Sequence, residues 1–207
     1  MKGYISVNDN RSYYLKQIFL QNGYEICDYQ PGLDFYFIDH DLDLQEKNVF
    51  SLNDDKAQYV INDDQNFRHF NNTLTVAGFL AAIKEKLYDQ KILILGFGDL
   101  AKQLARVLKP HNDITIANRN YKEIEVIKKD YQHIDIHLMT GYYDYIINTV
   151  PAKNIDYDDL LYQKIFDLAN SLKKERYESL RKLPVRYFPY ESAWLMFQYM
   201  EQVLRHD

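Results

Sequence analysis

The sequence predicts an α/β chain: a doubly wound parallel sheet preceded by a smaller N-terminal α/β lobe. Three observations carry this. The run Lys91–Leu95, apolar from Ile92 onward, has the pattern of a strand covered on both faces. Gly96-Phe97-Gly98 follows directly, and then Leu100, Leu104, Ala105, Val107 and Leu108 recur at helical spacing. Strand and helix patterns go on alternating to about residue 152, the rhythm of repeated βαβ units.

Taken in order, Tyr4–Val7 reads as a short strand, and the polar stretch 8–12 offers N-caps for a helix carried by Tyr14, Leu15, Ile18, Phe19 and Leu20. Asn22-Gly23 stops that helix. Residues 25–29 and 34–39 read as strands, with weaker candidates at 49–52 and 58–61. Val76, Phe79, Leu80, Ile83 and Leu87 mark an amphipathic helix that connects the lobes. Beyond the glycines, strands are expected at 113–117, 134–138, 143–148 and 164–168, with a short helix over 121–129. A charged helix-like run at 171–181, a last strand at 185–188 and a closing helix at 192–204 complete the chain. The expected domains are a small lobe over 1–72, a connecting helix over 73–88, and a larger domain over 89–207 that includes the closing helix.

Composition narrows the function. A net charge of −5 disfavours binding to nucleic acid, which works by neutralising phosphates. No apolar run is long enough for a membrane helix, and the N-terminus lacks the shape of a signal peptide. Cys27, the single cysteine, fits a reducing compartment, so a cytoplasmic protein is expected; mid-strand, it reads as a core residue rather than a nucleophile. No metal site is expected. His133 and His137 lie on a segment read as a strand, where such a pair need not converge, and the run from Asp39 to Asp43 reads as an exposed acidic loop.

The sharpest motif is Gly96-Phe97-Gly98-Asp99-Leu100-Ala101, a G-x-G-x-x-A between a strand and a helix. Gly96 permits the tight turn. Gly98 lets a pyrophosphate approach the backbone, and Ala101 lets the helix pack on the sheet. The amides of Asp99 and Leu100 would face the phosphates at the positive end of the helix. The alternative is a glycine-rich turn in a nucleotide-free α/β domain. Dinucleotide sites that take NAD usually carry a carboxylate about 20 residues further on. Here Asn118-Arg119-Asn120 stands at that strand end, and Arg119 could pair with a 2′-phosphate. NADP is therefore preferred, with NAD open; a solvated turn arginine is the other reading of Arg119. Thr149-Val150-Pro151, after the strand ending at Asn148, would cover the nicotinamide half; an ordinary strand-ending turn is the alternative.

These residues resemble two known groups. Thr73–Gly78, Ile92–Gly98, Ile147–Ala152 and Phe166–Ala169, in this order, look like the A subunit of dipicolinate synthase, as do Leu183-Pro184 and Pro189–Ala193. Ile114–Arg119 and Tyr143–Thr149 are similar to the NADP-binding region of shikimate dehydrogenases. The resemblance implies a Rossmann-type fold and an NADP(H)-dependent oxidoreductase acting on a small, carboxylated metabolite. A shikimate/quinate dehydrogenase-like activity is one alternative. A cofactor-binding sensor, or a subunit completed by a partner, is another, and a homodimer stays open. The N-terminal lobe shows no counterpart of the substrate-binding serines and lysine–aspartate pair of shikimate dehydrogenases. Lys153, Tyr190 and Glu191 are acid/base candidates from position alone.

Overall fold

The N-terminal strands form where β-branched and aromatic residues alternate faces. The computed structural model describes residues 1–38, 46–83, 85, 87–151, 155–169, 171, 180–182 and 188–206. The expected acidic loop, Lys153 and most of the runs 171–181 and 185–188 lie outside the described residues. The chain divides into two units, Met1–Leu74 with Phe188–Asp207, and Thr75–Tyr187.

The first unit is built on five parallel strands: β1 (Lys2–Ile5), β2 (Glu25–Ile26), β3 (Phe35–Ile38), β4 (Val49–Ser51) and β5 (Tyr59–Val60), in the order β2-β1-β3-β4-β5. Helix α1 (Asn10–Gln21) starts at Asp9, whose carboxylate accepts the Ser12 amide at 2.7 Å. One face of the sheet, with Phe35 and Phe37, packs on Leu15, Ile18 and Phe19 of α1. The other face carries Tyr36 and Ile38 against Leu33, Val49 and Ala57. Phe19 anchors the first layer, with the rings of Phe35 and Phe197 each 4.8 Å away.

The C-terminal helix α5 (Pro189–His206) belongs to this unit and not to the domain expected over 89–207. The reason is its apolar stripe: Ala193, Met196, Phe197, Met200 and Leu204 are buried in the same cluster as α1. Helix α2 (Gln65–Ala82) starts earlier than the apolar period suggests. Asp64 caps it, its carboxylate accepting the Phe67 amide at 2.7 Å.

The second unit is a six-stranded parallel sheet. Its strands are β6 (Lys91–Leu95), β7 (Asp113–Ala117), β8 (Gln132–Ile134), β9 (Gly141–Asn148), β10 (Leu160–Asp167) and β11 (Leu180–Lys182), in the order β11-β10-β9-β6-β7-β8. Counted within the unit, that is the 3-2-1-4-5-6 order of the doubly wound dinucleotide-binding fold. Both faces of β6 are buried. Ile92 and Ile94 meet the helix face with Leu104, Ala105 and Phe79; Leu93 and Leu95 meet Ile146, Ile155 and Tyr157. Helices α3 (Asp99–Leu108) and α4 (Ile124–Asp130) link the first three strands.

Two segments depart from their sequence patterns. The strand placed at 134–138 is β8, ending at Ile134. Asp135 then makes a turn, its carboxylate accepting the His137 amide at 2.9 Å and its carbonyl the Leu138 amide at 3.0 Å. Ile136 and Met139 plug the core from this turn, which gives it a strand-like apolar pattern. The helix-like run at 171–181 ends as strand β11, paired in parallel with β10.

Gly3 is opposite Phe35 in the β1–β3 register, and the Phe35 ring lies across it. A Cβ there would stand 2.2 Å from the ring. Gly3→Ala is therefore expected to lower unfolding free energy by about 1–3 kcal/mol, as a fall in urea midpoint at unchanged slope.

Candidate functional site

Parallel strands end together, and the last rung of this sheet is a row of residues: Ala117, Leu95, Asn148 and Asp167 are register partners across β7, β6, β9 and β10. Strand order reverses between β6 and β9. In open α/β sheets, ligands sit outside the carboxyl ends of the strands at such a reversal. The loops after β6 and β9 therefore flank the position where the topology places a site.

The loop after β6 is the glycine motif. Gly96 has φ +95°, a left-handed backbone that side chains rarely adopt. A Cβ on it would stand 2.8 Å from Cγ2 of Val150 and 2.9 Å from Oγ1 of Thr149, so glycine also lets the two loops touch. Gly98 differs. Its φ is −71°, and a Cβ there would meet nothing within 4 Å. It caps α3 with no side-chain bond, accepting the Lys102 amide at 2.9 Å. The amides ahead of Lys102 have no carbonyl within the helix to bond, and the helix dipole adds positive character there. Ala101 is fully buried against the sheet, as close packing requires. Leu100 packs partly buried on the same cluster, and Asp99 is exposed. The Phe97 side chain turns into the core, with Lys102 Nζ 4.9 Å from its ring centroid, so only its backbone can face a ligand here.

At the end of β7, Asn118 is buried and braces its own loop. Its amide donates to Glu123 at 2.9 Å and its Oδ1 accepts the Asn120 amide at 3.2 Å. Asn120 Oδ1 in turn accepts the Lys122 amide at 3.2 Å. Arg119 stands exposed between these two, with no ion-pair partner among the described residues. Sequence reasoning missed Glu123 and Lys102, which pair at 3.6 Å beside this loop. A carboxylate is thus brought to the end of β7 by a helical turn, not by the strand end itself, where Asn118-Arg119-Asn120 stands.

The loop after β9 is held from several sides. Thr149 donates its amide to the Leu95 carbonyl at 3.2 Å, and its hydroxyl to the same oxygen at 2.6 Å. Val150 donates its amide to Asn148 Oδ1 at 3.0 Å and accepts the Ser171 hydroxyl at 2.9 Å. Pro151 follows, exposed. Asp167 and Ser171 were also missed. The available signal was a lone carboxylate ending the apolar strand Ile165-Phe166, in line with Asn148.

Tyr190 and Glu191 lie in the first unit, at the start of α5. They line a groove of about 390 Å³ with Phe70, Thr73, Leu74 and Trp194. Among the described residues no cluster of His, Cys, Asp and Glu could hold a metal ion, and no helix is long and apolar enough to cross a membrane.

The second unit has the order, the turn and the loop placement of a Rossmann-type domain. Comparisons with known proteins agree. The family model described as shikimate / quinate 5-dehydrogenase matches residues 79–150, the stretch from α2 to the Val150 loop. The dipicolinate synthase A chain from Bacillus subtilis is similar in structure, with TM-score 0.73 at 13% identity, covering 100% of this chain and 96% of that one. Its counterpart from Bacillus halodurans gives TM-score 0.69 at 12% identity, over 98% and 97% of the two chains. An acyclic imino acid reductase in complex with NADPH and D-Arg gives 0.55 at 10% identity, over 100% and 98%. No curated protein matches the chain in sequence. At these identities the structural likeness is one of fold, and the resemblance read from the motifs holds at that level.

The contrast between the two glycines is measurable. Gly96→Ala is expected to destabilise by about 1–3 kcal/mol through strained φ and contact with Val150. Gly98→Ala should cost no more than about 1 kcal/mol in the same urea titration, the loss of a preferred N-cap without steric strain.

Proposed function

We propose that the chain is an NADP(H)-dependent oxidoreductase acting on a small, carboxylated metabolite, with NAD as the second cofactor it could take. The observation that carries this is Gly98. No neighbouring atom requires a glycine there, yet the position leaves bare backbone at the opening of α3, beside the strand-order reversal. A pyrophosphate is the group that such a cradle suits.

In this reading the amides of Gly98, Asp99 and Leu100 hold the phosphates. Gly96 and the backbone of Phe97 shape the turn, and Asn118 and Asn120 brace the loop that presents Arg119 to a 2′-phosphate. Thr149, Val150 and Pro151 wall the nicotinamide half. The bound cofactor supplies hydride chemistry; the protein supplies orientation and a proton. Lys153, which follows the Thr149–Pro151 wall in the sequence, stays the acid/base candidate. The carboxylated substrate is supported by the names of the structural neighbours, a dipicolinate synthase and an imino acid reductase. The Bacillus halodurans neighbour is described as one subunit of its enzyme, which favours a second reading: a chain that turns over only with a partner. The cytoplasm, a reducing compartment, fits the single cysteine Cys27.

Two variants test the assignment in nucleotide titrations followed by intrinsic fluorescence. Gly98→Asp has room to fold, and Asp is a good helix cap, so stability should hold while affinity for NADPH and NADH is lost. Unchanged affinity would remove the glycine turn from the site. Arg119→Ala should weaken NADPH about tenfold while leaving NADH within about twofold; equal losses would refute the 2′-phosphate contact.

A further inference from the structure

A polar cluster buried at the ends of β9 and β10 is not needed to complete the sheet. Asn148 and Asp167 are both fully buried and face each other in register. Burying an amide beside a carboxylate is costly unless every group is satisfied. Here the Asn148 side chain is held on both sides. Its Nδ2 donates to Asp167 Oδ1 at 2.9 Å and to Ser171 Oγ at 3.0 Å, and its Oδ1 accepts the Val150 amide. Ser171 donates its own proton to the Val150 carbonyl. Both backbone groups of Val150 are therefore tied to one side-chain cluster. Asp167 fixes the amide so that its oxygen faces Val150 and its nitrogen faces Ser171. That same Val150, with Thr149, stands against Gly96.

We propose that Asn148, Asp167 and Ser171 form a clasp of positioning residues. It locks Thr149 and Val150 beside the glycine turn and so sets the wall against which the nicotinamide half of the cofactor rests. This rests on the dinucleotide reading of the glycine turn. None of the three touches the reacting atoms; they act through the backbone of Val150. An apolar pair at the strand ends would cover the core as well, but would leave the loop free to choose its conformation.

Ser171→Ala is the mild test, because Ser171 is only half-buried and its loss leaves the Asn148–Asp167 pair intact. Amide hydrogen exchange on the ligand-free chain should speed up at Val150 by about tenfold, with the melting temperature lowered by no more than about 3 °C. Calorimetric titration should show NADPH weakened about fivefold to tenfold, the worth of one hydrogen bond, while 2′,5′-ADP, the adenine half alone, changes less than about twofold. Ser171→Thr, which keeps the hydroxyl, should restore both readouts. Unchanged exchange in Ser171→Ala overturns the clasp whatever the nucleotides do. Equal weakening of NADPH and 2′,5′-ADP overturns its positioning role. Exchange that responds while the wild-type chain binds neither nucleotide overturns the cofactor reading and leaves the clasp as a feature of the loop.

Discussion

The contact between Gly96 and the Thr149–Val150 loop is the constraint on which the arrangement of the second unit's strand-end loops depends. It joins the two strands between which the sheet reverses its order. Without it the loops after β6 and β9 would be two unrelated surface turns. With it they lie against each other at the carboxyl ends of parallel strands, next to the opening of α3. Each partner is specified locally: Gly96 by a left-handed backbone, Thr149 by a bond to the Leu95 carbonyl, and Val150 by Asn148 and Ser171.

The two glycines of the motif serve separate ends. Gly96 is explained by the fold, since both its φ and its neighbours exclude a side chain. At Gly98 neither φ nor a neighbouring atom excludes a side chain, and the residue serves as the N-cap of α3. The same division runs through the loop after β7. Asn118 is buried and spends its amide on the loop itself, whereas Arg119 is exposed. The Glu123–Lys102 pair beside it places both signs of charge next to this loop.

Much of this was legible in the sequence where a signal was local. β6 and β7 lie within the residues their apolar runs mark, and α3 begins one residue before the first apolar position. The misreadings have separate causes. Ile136 and Met139 are buried from a turn, so 134–138 resembled a strand. The stripe of α5 gives no indication of which core it joins, and only the pairing with α1 settles that. Asp64 was a readable cap that the apolar period of α2 concealed. Asp167 and Ser171 could not be assigned to Val150 from sequence, because the link runs through the register of β9 and β10.

On the proposed reading, a dinucleotide's phosphates lie on the first turn of α3, between two loops that meet at Gly96. The most direct measurement is amide chemical-shift perturbation of the isotopically labelled chain as NADPH is added. The largest shifts are expected at the amides of Gly98 to Ala101, with further shifts at Arg119 and at Thr149 and Val150. Saturable binding that leaves those amides unmoved and shifts residues elsewhere would contradict it.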